Sequence, residues 1–256
     1  MADRGHIDSL WRYPVKGLTP ERLQQVTLAP GSTMPFDRHY AIENGPGRFD
    51  ATQPKWVPKA NFLMLMRNER LANLETHFED ATHTLTIRRD GRQVARGQLD
   101  TTVGRQLIEQ FMAAYMRDAL RGAPKVVHAA GHSFSDVAAK CLHIINLASL
   151  RDLERVAGRS LDPLRFRANV HIDGVPAWAE MAWVGRSLRA GTVDLDVFDL
   201  TGRCEATNVD PKTGARDMAI PALLQRTWGH RDFGIYARVR AGGTIEAGQA
   251  IEIDEK

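Results

Sequence analysis

Cys204 lies in the run Thr201-Gly202-Arg203-Cys204-Glu205-Ala206-Thr207, where its neighbours favour chemical use. An adjacent guanidinium lowers a thiol's pKa, and the thiolate is the form that attacks or ligates. Gly202 lets another group approach the backbone closely. The spacing leaves two readings open, a working thiolate or a surface thiol beside a turn. A turn does follow: Asp210-Pro211-Lys212-Thr213-Gly214 supplies an Asx side chain, a proline with φ pre-set and a closing glycine. Cys141 leads into the apolar run Leu142 to Ile145 and reads as a buried, inert thiol. Two cysteines are too few for a disulfide framework or a Cys-rich metal site.

Cationic groups form the second set. In Arg165-Phe166-Arg167-Ala168-Asn169 a strand's alternation would place Arg165, Arg167 and Asn169 on one side and Phe166 on the other. Such a face suits an anion with several acceptor oxygens, because guanidinium pairs with phosphate in bidentate fashion; a solvated strand face is the competing reading. Lys16-Gly17 places a cation beside a glycine just after an N-terminal strand. Arg38 follows Asp37, and a surface ion pair would explain it. Other chemistry is disfavoured. The chain has no Gly-x-Gly-x-x-Gly after a strand, no phosphate loop and no Gly-x-Ser-x-Gly elbow. His128 and His132 have the spacing of two helical zinc ligands, but they run from a strand end into Gly131, where a helix is not expected.

The positioning elements are mostly short strands. His6 to Tyr13 alternates and stops at Pro14, and Arg22 to Leu28 and His39 to Ile42 are further strands. Gly45 to Pro58, with three prolines and two glycines, is a loop. Thr82 to Arg88 and Gln93 to Leu99 flank Asp90-Gly91, a two-residue hairpin signal. Apolar residues from Leu107 to Leu120 recur at helical spacing until Gly122 and Pro124 stop them. Strands are expected at Lys125 to His128, Leu142 to Asn146, Asn169 to Ile172, Ser187 to Ala190, Val193 to Phe198, Ile235 to Val239 and Gln249 to Ile253. Ser149-Leu150-Arg151-Asp152 has capping-box form and opens a helix ending at Gly158, and a second helix covers Ile220 to Thr227. Regular strand–helix alternation is missing, which argues against a doubly wound sheet. The expectation is a β-rich, barrel-like α+β protein with two domains, 1–122 and 123–256.

The chain of 256 residues has 43% apolar and 25% charged residues and a net charge of +3, ordinary for a soluble globular enzyme. No run of five Lys/Arg occurs, so no nucleic-acid partner is expected. Met1 to Gly17 has no apolar core of signal-peptide length, and the stretch Leu142 to Leu150 is broken by His143 and Asn146. A cytoplasmic, reducing location away from membranes is expected, as a monomer.

In this order the segments resemble the MOSC family, most closely its two-part members of the amidoxime-reducing type. The N-terminal resemblance rests on Tyr13-Pro14-Val15-Lys16-Gly17 and Phe36-Asp37-Arg38. That to the MOSC domain rests on Leu147-Ala148-Ser149-Leu150, Arg165 to Val170, Ala179 to Trp183, Arg203 to Gly214 and Gly243 to Gly248. The resemblance implies an N-terminal β-barrel-like domain joined to a MOSC-type β-barrel domain with a few peripheral helices. It implies Mo-molybdopterin as cofactor, without pyridoxal phosphate, and Cys204 as catalytic residue and molybdenum ligand. Lys16, Arg38, Arg167 and Asn169 match positions that hold the pterin and its phosphate. Gly17, Asn146, Ser149, Thr201, Gly202 and Arg203 fall where members line the same pocket. The implied activity is reduction of small N-hydroxylated substrates, fed by a separate ferredoxin-, flavodoxin- or cytochrome b5-like donor. A cofactor carrier, or a sulfur-transfer protein with a Cys204 persulfide, would use the same residues. Gly17 and Gly202 stand where serines are often found, and Ala168 where proline is usual.

Overall fold

β1 (Arg4–Arg12) turns Ile7 and Leu10 into an apolar interior, with a register shift between Ile7 and Ser9 that places both inward. In the computed structural model, which describes residues 4–45 and 47–254, this first strand closes a barrel built otherwise from the second half of the chain. Pro46, within the loop expected from Gly45 to Pro58, lies outside the described residues, as do Met1 to Asp3.

The first half continues with β2 (Glu21–Leu23), β3 (Gln25–Leu28), β4 (Ala41–Glu43), β5 (Glu75–Glu79), β6 (Thr84–Arg89), β7 (Arg92–Gln98) and α1 (Thr102–Tyr115). Asp90 and Gly91 join β6 to β7 with φ of 52° and 73°, the two positive values that a type I′ turn needs. Thr101 caps α1 by accepting from the Gly104 amide at 3.0 Å. The helix sinks Ile108, Met112 and Tyr115 onto Leu85 and Ile87 of β6 and onto Leu63, Leu71 and Leu74. At Gly104 its backbone lies so close to Gln98 that a Cβ would collide with backbone atoms.

The second half supplies β8 (Lys125–Val127), β9 (Leu142–Asn146), α2 (Leu147–Ala157), β10 (Val170–Asp173), β11 (Ser187–Ala190), β12 (Val193–Gly202), α3 (Ile220–Trp228), β13 (Asp232–Ala241), β14 (Gly243–Glu246) and β15 (Ala250–Ile253). The barrel order is β10-β9-β13-β12-β11-β15-β1, with β1 pairing back onto β10 and β2 attached outside. Only β9 and β10 run parallel in this sheet, joined by the crossover that contains α2. Leu142, Ile144, Val170, Ile172, Leu195, Val197 and Ile235 fill the interior. α2 and α3 pack outside, over Phe166 and Phe233, whose rings stack at 4.1 Å. The fold is β-rich α+β. β3 pairs with β14, and β4 with β8, so hydrogen-bonded strands cross the division at 122 in three places, counting β1.

Two local expectations are corrected. Residues 165–169 do not extend a strand: Pro163–Phe166 form a 3-10 turn capped by Asp162, and Arg167 takes a left-handed φ of 52°. Asp162-Pro163, a capping side chain before a proline at the first helical position, is the signal that the strand reading passed over. In α2 the cap is Asn146, whose side chain accepts from the Ala148 amide at 3.0 Å. Ser149 therefore opens no capping box; its hydroxyl donates to Glu180 inside the protein.

Candidate active site

A cavity of about 370 Å³ opens where the two halves meet. Lys16, Gly17, Asp37, Arg38, Lys59 and Met64 to Met66 line it from the first half. The second half contributes Ser135 to Val137, Cys141, His143, Arg165 to Arg167, Asn169, Asp199, Leu200, Gly202 to Cys204, Ala206 and Tyr236. Eight of the residues singled out in the sequence thus share one cavity: Lys16, Gly17, Arg38, Arg167, Asn169, Gly202, Arg203 and Cys204. Asn146, Ser149 and Thr201 do not line it. Asn146 and Ser149 instead converge on the buried Glu180 carboxylate, at 2.9 Å and 2.7 Å, and Thr201 is buried with its hydroxyl unpartnered.

The cationic groups are held by backbone, aromatic ring and carboxylate together. Arg38 and Arg167 both adopt left-handed φ, 49° and 52°, and both lay their guanidinium carbons over the Tyr13 ring, at 4.3 Å and 4.2 Å. Such strain persists only where the surroundings over-determine it. Arg38 pairs with Asp37 at 2.6 Å, the contact its sequence suggested, and also donates to the Arg167 carbonyl. Burial pulls the Arg167 pKa down to about 10, still protonated near neutrality. Arg203 donates to His143 Nε2 at 3.2 Å and to the Phe166 carbonyl at 2.7 Å. Guanidinium can only donate, so Nε2 is the acceptor, and burial holds that imidazole neutral. Arg165 is spent elsewhere: Asp210 and Asp217 grip it at 2.9 Å and 2.8 Å, which gives the Asp210 to Gly214 turn a structural purpose.

Around Cys204 the structure departs from the sequence reading in one respect. The cation within hydrogen-bond distance of Sγ is Lys59, at 3.3 Å, and not Arg203. Lys59 also donates to Asp136 Oδ2 at 2.8 Å, while Lys16 takes Oδ1 of the same carboxylate. Burial alone would raise the Asp136 pKa, yet Lys16 and then Lys59 hold it far below the usual carboxylate range. Burial lowers the Lys16 pKa more than Asp136 restores it, and Arg38 and Lys59 add to the fall. On Lys59 burial also pulls downward, but Asp136 and Cys204 outweigh it and the pKa rises. Neither Lys59 nor Asp136 was singled out from the sequence. Cys141 lines the same cavity as a buried thiol, and burial pushes its pKa up to about 12, which keeps it protonated.

The cavity lining carries six cations (Lys16, Arg38, Lys59, Arg165, Arg167, Arg203) against three carboxylates (Asp37, Asp136, Asp199). Arg165 Nε, Arg167 Nη2 and Arg203 Nε are buried without a hydrogen-bond partner. No group of three His, Cys, Asp or Glu among the described residues could hold a metal ion. The protein offers one thiol that is not buried and protonated, Cys204, and several unspent cationic donors, a set suited to an anionic group that brings its own remaining metal ligands. A pterin-dithiolene molybdenum cofactor with its phosphate fits this description.

Comparison with known proteins agrees with this architecture. The model of the MOSC N-terminal beta barrel domain matches residues 4–136, and that of the MOSC domain matches residues 127–252. Molybdenum cofactor sulfurase of Caenorhabditis briggsae is 33% identical over 118 residues, 42% of this chain and 16% of that protein. Mitochondrial amidoxime-reducing component 1 of Homo sapiens is 29% identical over 120 residues, 42% of this chain and 35% of that protein. The matched part thus spans about a sixth of the one relative and a third of the other. Among solved structures, the YUAD protein from Bacillus subtilis covers 99% of this chain and 98% of its own, at 12% identity and a TM-score of 0.49. No helix among the described residues is long and apolar enough to cross a membrane. The two domain matches, consecutive along nearly the whole chain, make it a member of the MOSC family with an N-terminal MOSC β-barrel domain.

Proposed function

We propose that this chain is a molybdenum-cofactor-binding oxidoreductase that reduces N-hydroxylated substrates, with the Cys204 thiolate as the protein's ligand to molybdenum. The observation that carries the reading is a half-buried thiol, Cys204, facing a cavity with surplus cationic donors, three of them with a buried, unpartnered nitrogen. Mitochondrial amidoxime-reducing component 1 is named for the reduction of amidoximes, which are N-hydroxylated, and its similarity to this chain supports the reading.

Arg38 and Arg167, locked on Tyr13, would hold the pterin phosphate, with Lys16 adding charge to the same cavity. Arg203 would donate its free Nε to the pterin system, and Asn169 keeps the wall in place by bonding the His143 amide and the Trp11 carbonyl. Gly202 leaves room beside the thiol. The cofactor supplies oxygen-atom acceptance and two-electron redox chemistry, and a separate ferredoxin-, flavodoxin- or cytochrome b5-like protein supplies the electrons.

Metal and pterin analysis of protein purified from a molybdenum-replete host tests this. The expected result is near-stoichiometric molybdenum in the parent and its loss in Cys204→Ser. A parent that carries no molybdenum would sink the reading. Reduction of benzamidoxime to benzamidine with an artificial donor then separates an enzyme from a cofactor carrier. A persulfide on Cys204 in metal-free protein, seen by mass spectrometry, would point to sulfur transfer.

A further inference from the structure

Lys59 is placed at the thiol by backbone constraints on both sides. Pro58 fixes φ at −53°, Phe62 donates back to the Lys59 carbonyl at 3.0 Å, and Arg121 holds the Ala60 carbonyl at 2.7 Å. From this anchored turn the side chain spans to Cys204 Sγ and to Asp136 Oδ2. Its side chain is 28% exposed, against 7% for Lys16, so Lys59 stands at the mouth and Lys16 in the depth. One carboxylate lies between these two ammonium groups and can neutralise only one of them. Half-buried Leu65, Met66 and Ala206 form an apolar lip of the lining, whereas Asp199 stands in it as an exposed carboxylate and exposed Glu205 follows the thiol in the chain. An incoming group therefore meets an apolar lip and, at the reacting thiol, the Lys59 ammonium, in a lining whose cations outnumber its carboxylates.

We propose that Lys59 selects by charge what reaches Cys204, so that the preferred ligand is anionic at its reacting end. Joined to the function proposed above, on which this identification rests, the substrate class is an N-oxygenated compound with a carboxylate or other oxyanion next to its N–O group. The apolar lip receives the rest of the molecule. A fixed charge in a partly desolvated mouth discriminates more strongly than the same charge in bulk water.

The charge selection is testable on the free thiol, without cofactor or turnover. Metal-free protein is alkylated with iodoacetate, which is anionic, or with iodoacetamide, which is neutral and of similar size. Mass spectrometry restricts the readout to Cys204. Both reagents attack the thiolate, so the ratio of their rates cancels any change in thiolate fraction and leaves the charge preference. In the parent the iodoacetate-to-iodoacetamide ratio should exceed that of free cysteine, and added salt should bring it down toward that value. Lys59→Gln should lower the ratio by about fivefold, and Lys59→Arg should keep it within about twofold of the parent. A parent ratio equal to that of free cysteine, insensitive to salt, would overturn the proposal, as would a ratio unchanged in Lys59→Gln. Because the salt series uses the parent alone, it stands even where a variant folds poorly. Absence of molybdenum would remove the cofactor reading and leave the charge selection intact; an ordinary ratio in the metal-free form of a protein that carries molybdenum when purified would do the reverse.

Discussion

Gly17 and Gly202 look equivalent in the sequence, since each stands where a hydroxyl would be expected in the family. The structure separates them. Gly17 has a φ of +84°, and a Cβ there would lie 2.9 Å from the Leu63 carbonyl oxygen; at Gly202 the nearest atom to a built Cβ is Asp232 Oδ1, at 3.6 Å. Gly17→Ser should destabilise the protein by about 1–3 kcal/mol through backbone strain and crowding. Gly202→Ser should change stability by less than about 0.5 kcal/mol while placing a hydroxyl at the cavity wall. Urea unfolding of the two variants distinguishes them, and equal losses would contradict the difference. Cys204, Arg167 and Lys16 could be singled out from sequence because each sits beside a glycine or within an ordered cationic run. Lys59 could not. It lies 145 positions from Cys204, at the end of a proline-rich loop, and only the tertiary arrangement gives it a partner.

Elements were legible where local chemistry decided them. The Asp90-Gly91 hairpin, the helix after Thr101 and the Gly158 stop, with its φ of 69°, all follow from side chains within a few residues. Errors arose where a local pattern had two solutions. At the start of α2 both Asn146 and Ser149 are good caps, and the choice went to Asn146 because Ser149 is drawn inward by Glu180. These two side chains serve the helix and its buried carboxylate, so their loss should affect folding and not the cavity. Asn146→Ala removes a cap and leaves Glu180 short of one donor, a loss of about 2 kcal/mol. Molybdenum per folded molecule should be unchanged. A variant of normal stability, or one that folds but loses metal, would return Asn146 to the site.

At the scale of the molecule, three imidazoles are folded in a neutral form. Burial lowers His171 and His39 to about 4 and takes His143 well below its ordinary value. The unfolded chain takes up protons on histidine near pH 6.5, whereas folded His171 and His39 do not until about pH 4. Their stability contribution is complete above about pH 6.5 and is lost as pH falls toward 4. Between pH 7 and 4.5 the parent should lose about 2 kcal/mol more than His171→Gln, measured by urea midpoints at both pH values. Parallel losses would show that His171 does not contribute. The β-rich class could be read from strand patterning, but nothing in the sequence reveals that the first strand belongs to the last sheet. Arg4 of β1 lies opposite Glu252 of β15, and Leu10 opposite Val170 of β10. Closure must therefore wait until β15 has been synthesised. Until β15 emerges, β11 keeps an open hydrogen-bonding edge and β1 lacks one of its two barrel neighbours, an interval in which another chain could pair instead. The strand that closes the barrel, β15, must reach back to β1 across all the others, so nascent chains of this protein should pass through a sticky stage that a barrel of sequential hairpins avoids.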